Sequence, residues 1–166
     1  FIGTYTAGSG LLPSGLYFNT AYSRSQTDGY IRNAYADLQS AMAVLGWMNE
    51  SNSLRLTWLM GSQHTGITWE GISPEQYETD RRYNPAGEYY DQYGNVHYYD
   101  NETDNYAQHH LQLNYTHSFS DRLAWSTTFN YTRGDGYYEN YKADRAFSKY
   151  LMTSPVIYGV EYESGD

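Results

Sequence analysis

From residue 106 to residue 133 the chain alternates between two kinds of side chain. Leu111, Leu113, Tyr115, His117 and Phe119 take every second position, with His110, Gln112, Asn114, Thr116 and Ser118 between them. After Ser120-Asp121-Arg122 the alternation resumes, with Leu123, Trp125, Phe129 and Tyr131 against Ala124, Ser126, Thr128, Asn130 and Thr132. Period-two alternation on both sides of a short polar turn predicts an antiparallel hairpin. Successive strand side chains point to opposite faces, so one face of the hairpin is apolar and aromatic. The other carries amides and hydroxyls, almost no charge, and too little bulk for a packed core. Each arm runs roughly 10 residues, near the 9–11 that a tilted strand needs to cross a hydrocarbon layer. Strands of soluble proteins average about 5–6.

The same reading predicts strands at about 1–7, 15–24, 38–48, 54–64, 106–119 and 123–133. Residues 38–48 are apolar on both faces (Met42, Val44 and Met48; Ala41, Ala43, Leu45 and Trp47), so periodicity alone leaves a short amphipathic helix open there. The compact turn at 49–53 and the alternation that follows favour a strand. Leu54, Leu56, Trp58 and Met60 face one way and Arg55, Thr57, Gly61 and Gln63 the other, with Leu59 the exception. Short turns at 8–14, 49–53 and 120–122 alternate with longer connections at 25–36, 66–105 and 134–166. Short and long connections then gather at opposite ends of an up-and-down meander, as in outer-membrane barrels. The predicted fold is therefore all-β, one antiparallel meander over residues 1–166 forming part of a large transmembrane β-barrel with long extracellular loops. Tyr22, Trp58, Phe119, Trp125 and Tyr131 are placed to supply parts of its aromatic girdles.

Composition narrows the partners. Acidic residues outnumber basic ones 19 to 10, which makes nucleic acid a poor partner. Cysteine is absent, so disulfides and thiolate metal sites are unavailable. The 21 tyrosines combine apolar rings with polar tips, which suits membrane interfaces and carbohydrate or protein contacts. No apolar run reaches the roughly 18 residues of a membrane helix. Phe1-Ile2-Gly3-Thr4-Tyr5-Thr6 opens directly in a β-like run without an initiator Met, and residues 158–166 trail off polar and acidic, so the chain reads as a piece of a longer protein.

Two segments carry a family resemblance. Asp100-Asn101-Glu102-Thr103-Asp104-Asn105-Tyr106 with the following His110-Leu111-Gln112-Leu113 strand resembles a stretch of TonB-dependent outer-membrane receptors, and so does Thr132-Arg133-Gly134-Asp135-Gly136-Tyr137-Tyr138-Glu139-Asn140-Tyr141-Lys142. Asp28-Gly29-Tyr30-Ile31 with Ala36-Asp37-Leu38 is more distantly similar to the same region. The resemblance implies an early to middle part of a plugged barrel of about 22 strands. It also implies a place in the cell outer membrane and uptake of a scarce ligand such as a ferric siderophore, cobalamin or glycan, driven by the TonB complex. The plug domain, TonB box and closing strand lie outside this sequence, so coupling to TonB would use parts absent from it.

Candidate binding residues concentrate in 66–105, because long loops carry binding functions. Glu70, Glu75, Glu78, Asp80, Glu88, Asp91, Asp100, Glu102 and Asp104 stand against Arg81 and Arg82. Trp69, Arg81, Arg82, Tyr83, Tyr89, Tyr90, Tyr98 and Tyr99 are the candidates to stack on sugars or hydrogen-bond a polar chelate. The competing reading is a solvated loop whose tyrosines pack on each other. Asp100, Glu102 and Asp104 recur at every second position and suggest oxygen ligation of calcium, yet Asn105 and Leu111 stand where an EF-hand needs Gly and Glu. No metal or other cofactor is otherwise expected. His109 and His110 point to opposite faces of their strand and cannot share an ion. Arg133-Gly134-Asp135, the only hint of a structural barrel or adhesin, reads as a strand end turning into a loop. No nucleophile elbow, phosphate loop or zinc motif is present, so no enzymatic activity is expected. The rival reading is a soluble carbohydrate-binding β-sandwich of a secreted protein, which would bury Leu54, Leu56, Trp58, Leu111, Leu113 and Trp125 between two sheets.

Overall fold

A computed structural model describes residues 1–143 and 145–164. In chain order its elements are β1 (Ile2–Gly8), β2 (Leu16–Thr27), β3 (Ala36–Met48), β4 (Asn52–Gly66), α1 (Pro74–Thr79), β5 (Glu88–Tyr90), β6 (Val96–Tyr98), β7 (Thr103–Ser120) and β8 (Leu123–Glu139). A short 3-10 turn (Phe147–Tyr150) and the two-residue strands β9 (Val156–Ile157) and β10 (Val160–Glu161) follow. Six strands form one sheet in the order β1-β2-β3-β4-β7-β8, each antiparallel to its neighbour. β1 and β8 are its outer strands. The chain is therefore all-β with an antiparallel meander, as the alternation predicts. Among the described residues no helix is long and apolar enough to cross a membrane, which says nothing of strands.

Register aligns the alternating residues into rows across the sheet. Phe18, Leu45, Leu56, Leu113 and Phe129 pair in succession, and Thr20, Ala43, Trp58, Leu111 and Tyr131 form the adjacent row. Nearer the short turns run Leu16, Trp47, Leu54, Tyr115 and Thr127. Toward the long connections the same face turns polar. Arg24, Gln39, Ser62, Ala107 and Asp135 share one row there, and Gln26, Asp37, His64, Asn105 and Tyr137 the next. Arg24 bridges Asp37 through two hydrogen bonds of 3.0 and 2.6 Å.

The opposite face is held by neutral side chains. Gln112 donates to Asn130 at 2.8 Å, Asn114 to Thr128 at 2.8 Å, and Thr116 and Ser126 share a bond of 2.9 Å. His110 meets Thr132 at 2.6 Å on this face, while His109 stacks on Trp58 on the other, so the two histidines do diverge. Leu59 lies among the polar positions, opposite His110. An open depression of about 820 Å³ lies on this side, lined by Tyr17, Asn19, Arg55, Thr57 and Gln112 together with the apolar Met42, Val44 and Leu59.

Every strand but the first outruns its sequence-based end near the long connections. β2 reaches Thr27 and β3 begins at Ala36, where Arg24, Gln26 and Asp37 hold the polar ends together. β4 continues to Gly66, and β7 starts at Thr103 rather than at 106. β8 runs to Glu139 rather than 133, so Arg133-Gly134-Asp135 sits inside a strand and not at its end. Gly134 and Gly136 interrupt the pattern without ending the strand: a Cβ at Gly134 would meet the Tyr106 ring, and one at Gly136 the Asn105 carbonyl and then that ring. Tyr17 covers its cross-strand partner Gly46 in the same way. The connections shrink to 28–35, 67–102 and the chain after 139. Residues 28–35 are barely longer than the turn at 9–15, so the asymmetry of the two ends rests on 67–102 and the final segment. Residues 67–102 are also more ordered than a polar run suggests, holding α1 and the β5–β6 hairpin.

Candidate functional site

At the long-connection end, residues 28–35, residues 67–102 and the chain after β8 meet in a cap. The buried apolar side chains among the described residues, Ile67 and Ala86, lie here with buried Asn84, Glu102 and Thr103. Buried polar groups must be hydrogen-bonded, and these are. Asn84 Nδ2 donates to the carbonyls of Arg32 and Ile67 at 2.8 Å each, and its Oδ1 accepts from the Ala86 amide at 3.2 Å. Asn33, at positive φ, donates to the Glu102 carbonyl at 2.8 Å. The Glu102 carboxylate accepts from Asn140 Nδ2 at 2.8 Å and from the Tyr141 amide. Arg32 reaches across to donate to the carbonyls of Asn84 and Ala86, and its guanidinium carbon lies 3.5 Å from the centre of the Tyr98 ring.

The cap's local pieces are built from sequence-near signals. Ser73 caps α1 and Gln76 returns its side chain to the Ser73 amide, closing a capping box. Asp91 folds the β5–β6 turn by accepting from the amides of Tyr93 and Asn95, from Asn95 Nδ2 and from His97. Hydrogen bonds, those of Asn95 first, hold the Asp91 carboxyl well below the usual carboxylate range.

The hairpin brings phenols onto one carboxylate. Tyr90 donates to Glu88 Oε1 at 2.9 Å and Tyr98 to Glu88 Oε2 at 3.2 Å. Tyr83 also faces Glu88, and its hydroxyl is pushed up to about 12, by burial first and then by the hydrogen bond to that carboxylate. The Tyr90 hydroxyl is raised chiefly by its bond to Glu88, and that of Tyr98 by burial and then the Glu88 charge. A second group of rings stacks beside them. Tyr89 lies 5.4 Å from His97 and 5.1 Å from Tyr141, and Tyr99 lies 5.4 Å from Tyr141. Between the groups opens a depression of about 430 Å³ lined by Glu70, Glu88, Tyr141, Lys142 and Arg145, with Lys142 Nζ 3.6 Å from Glu70.

Of the sequence-based candidates, Tyr83, Tyr90 and Tyr98 converge on Glu88, and Tyr89 and Tyr99 on Tyr141. Trp69 packs edge-on against Tyr138 of β8, away from both groups. Arg81 lies over Tyr77, and Arg82 donates to the Tyr30 carbonyl at 2.9 Å, a loop-bracing contact. The alternating acids turn to separate partners: Glu102 inward to Asn140 and Tyr141, and Asp104 to Gln63 at 3.3 Å. Among the described residues no three His, Asp or Glu side chains gather around one point. The pattern reading did not single out Arg32, Asn84 or Tyr141, which organise the cap. Their partners are carbonyls and rings distant in sequence, so no spacing signals them.

Next to the cap, residues 103–106 of β7 lie beside residues 136–139 of β8. Thr103 pairs with Glu139, Asp104 with Tyr138, Asn105 with Tyr137 and Tyr106 with Gly136. No protein-family model matches the chain, and no curated protein or solved structure is significantly similar to it.

Proposed function

We propose that this chain is a stretch of outer-membrane β-barrel from a TonB-dependent receptor, with the cap at its extracellular end making first contact with a scarce ligand such as a ferric siderophore, cobalamin or glycan. One observation carries the membrane reading: the apolar rows fill one face only near the short turns and give way to charged rows toward the long connections. From Leu54 to Trp58 the band measures roughly 13 Å along the strand, Trp125 extends it one row lower, and the Met60 row already carries His109 and Arg133. Outer-membrane barrels present an outward apolar band ~25 Å tall. On β7 and β8 the neutral amides and hydroxyls behind it suit a polar lumen, and Arg55, at the depth of Leu54 and Leu56, belongs on that side because charge at bilayer depth needs water or protein around it, beside the apolar Met42, Val44 and Leu59.

A soluble sandwich would lay a second sheet over Leu56, Leu113 and Phe129. The receptor reading sets lipid against them instead, and Phe129 is 67 % exposed. The open edges of β1 and β8 likewise call for further strands, since long unpaired edges invite aggregation. In the receptor reading the chain performs capture and passage rather than catalysis. Coupling to the TonB complex falls to parts outside this sequence.

The test is uptake by cells carrying the full-length gene. Growth on one member of a panel of ferric siderophores, cobalamin and oligosaccharides should require both the gene and TonB, with the product in the outer-membrane fraction. Recovery of the product as a secreted soluble protein that binds glycans would replace the receptor with the sandwich.

A further inference from the structure

We propose that Tyr99 and Tyr141 form an oxidative cross-linking site, at which a one-electron oxidant of the haem-peroxidase type, fed by hydrogen peroxide, joins the two rings as dityrosine. The inference stands on the cap's geometry and does not need the receptor reading. The Tyr141 ring stacks on Tyr99 at 5.4 Å with 24° between the planes, and Tyr89 meets it at 5.1 Å and 56°. Carbon–carbon coupling needs the ortho carbons of two rings side by side. Near-parallel rings reach that arrangement by sliding in their own planes, which selects Tyr99 over the tilted Tyr89.

The backbone holds both rings in place. The Tyr99 amide donates to the Gly87 carbonyl at 2.8 Å, and Gly87, at positive φ, lies against Glu102. The Tyr141 amide donates to the Glu102 carboxylate, which also accepts from Asn140 Nδ2 at 2.8 Å. Glu102 thus stands between the two anchors. Groups held in register react as though highly concentrated, and effective molarities of well-oriented pairs reach about 10⁵ M and above. Coupling within the chain should therefore outrun coupling between chains. Tyr99 is 38 % exposed and Tyr141 half-buried, so the oxidant has access while the rings stay packed. The sequence holds no cysteine, so none of its side chains is a thiol that would compete for the oxidant.

The chemistry balances as follows. Each phenol gives up one electron and one proton, and the two phenoxyl radicals form a bond between their ortho carbons. The ortho hydrogens then move to the phenoxyl oxygens, restoring both aromatic rings and both hydroxyls. Hydrogen peroxide takes up the two electrons and two protons and becomes two molecules of water. The new bond joins the connection 67–102 to the chain after β8, where hydrogen bonds to Glu102 and the contact of Lys142 with Glu70 at 3.6 Å now hold the two together. A covalent tie there restricts the opened cap more than the closed one, as cross-links do.

The experiment treats dilute, purified full-length protein with hydrogen peroxide and a haem peroxidase, follows dityrosine fluorescence, and maps the digested monomeric product by mass spectrometry. The proposal predicts one dominant cross-link, between the peptides of Tyr99 and Tyr141, lighter than their sum by two hydrogen atoms. Tyr99→Phe, which keeps the ring, should cut the monomer's fluorescence at least threefold. Tyr93→Phe, on a ring outside the stack, should leave it unchanged. Glu102→Ala, which releases the Tyr141 backbone, should lower the yield of the Tyr99–Tyr141 product at least threefold. In the coupled protein the Tyr141 amide should exchange at least fivefold more slowly. Should a variant misfold, the map of the unmutated protein still decides. Dityrosine formed mainly between molecules, a dominant link through Tyr89 or any other pair, or an undiminished yield in folded Tyr99→Phe would overturn the assignment. Amide exchange indifferent to coupling would overturn the lock on the cap.

Discussion

The cap and the sheet bury opposite things. In the cap the buried side chains are small in number and largely polar, with Asn33, Asn84 and Glu102 each satisfied by partners from other segments. In the sheet the large apolar side chains Phe18, Leu45, Leu56 and Phe129 stand open, and the polar ones pair across strands. The cap thus meets most of its buried polar groups from within, Arg32 Nε being buried without a hydrogen-bond partner, whereas the sheet leaves the large side chains of one face open. The difference locates where each region draws its stability: the cap from non-local hydrogen bonds, the sheet from its ladders and from the surroundings of its apolar rows.

Substitutions that insert charge should separate the two faces most strongly. Leu113→Arg should cost about 2–4 kcal/mol of folding stability in bilayers, the usual penalty for Arg on the lipid side near the midplane. Gln112→Arg, its chain neighbour on the polar face, should cost under ~1 kcal/mol, since lumen positions tolerate charge. Folding titrations of the full-length protein into lipid vesicles check the pair, and equal penalties would erase the distinction between faces.

A smaller effect should fall on the cap alone. Glu102→Ala removes the acceptor of the Asn140 amide and the Tyr141 N–H, both part-buried, at about 1–3 kcal/mol in total. Amide exchange should accelerate at Tyr141 and at Ile67, whose N–H bonds the Glu102 carbonyl, while Leu56 and Leu113 keep their rates. Acceleration spreading into β4 and β7 would mean that cap and sheet are one cooperative unit.

The smallest effect is local and depends on pH. The folded Asp91 carboxyl titrates below its unfolded value, so its contribution to the β5–β6 turn is present at neutral pH and lost on acidification. Protection of the Tyr93 and Asn95 amides should hold down to about pH 4, near the unfolded carboxylate value, and decline progressively below it. Asp91→Ala should remove that dependence. Flat protection down to pH 2 in the unmutated protein would contradict the role given to Asp91.

What the sequence disclosed follows the same division. Period-two alternation is written residue by residue, so β2, β3, β4, β7 and β8 and the faces of Leu54, Leu56, Leu111 and Leu113 were legible, including the anomaly at Leu59. Strand ends near the cap were not, because polarity there resembles loop composition: Arg24 and Asp37 lie on neighbouring strands and are joined only through register. Gly134 and Gly136 looked like a turn, since their role depends on a tyrosine one strand away. In the cap, the tyrosines of 83–99 were legible as candidates because their density is unusual. Glu88 was one acid among nine until the hairpin placed three phenols around it. Arg32, in a short polar connection, carried no pattern at all.

The central claim is that the sheet's two faces meet different media, and spin labels in the full-length protein in lipid vesicles test it most directly. Labels go one at a time at Leu56, Leu113 and Phe129, and at Thr57, Gln112 and Asn130, with collision rates measured against oxygen, which concentrates in lipid, and against a water-soluble nickel chelate. High oxygen and low nickel contact is expected for the first three and lower oxygen contact for the second three, so that the signal alternates residue by residue. Low contact with both reagents at Leu56, Leu113 and Phe129 would place them inside a protein core, and the membrane-barrel reading would fall.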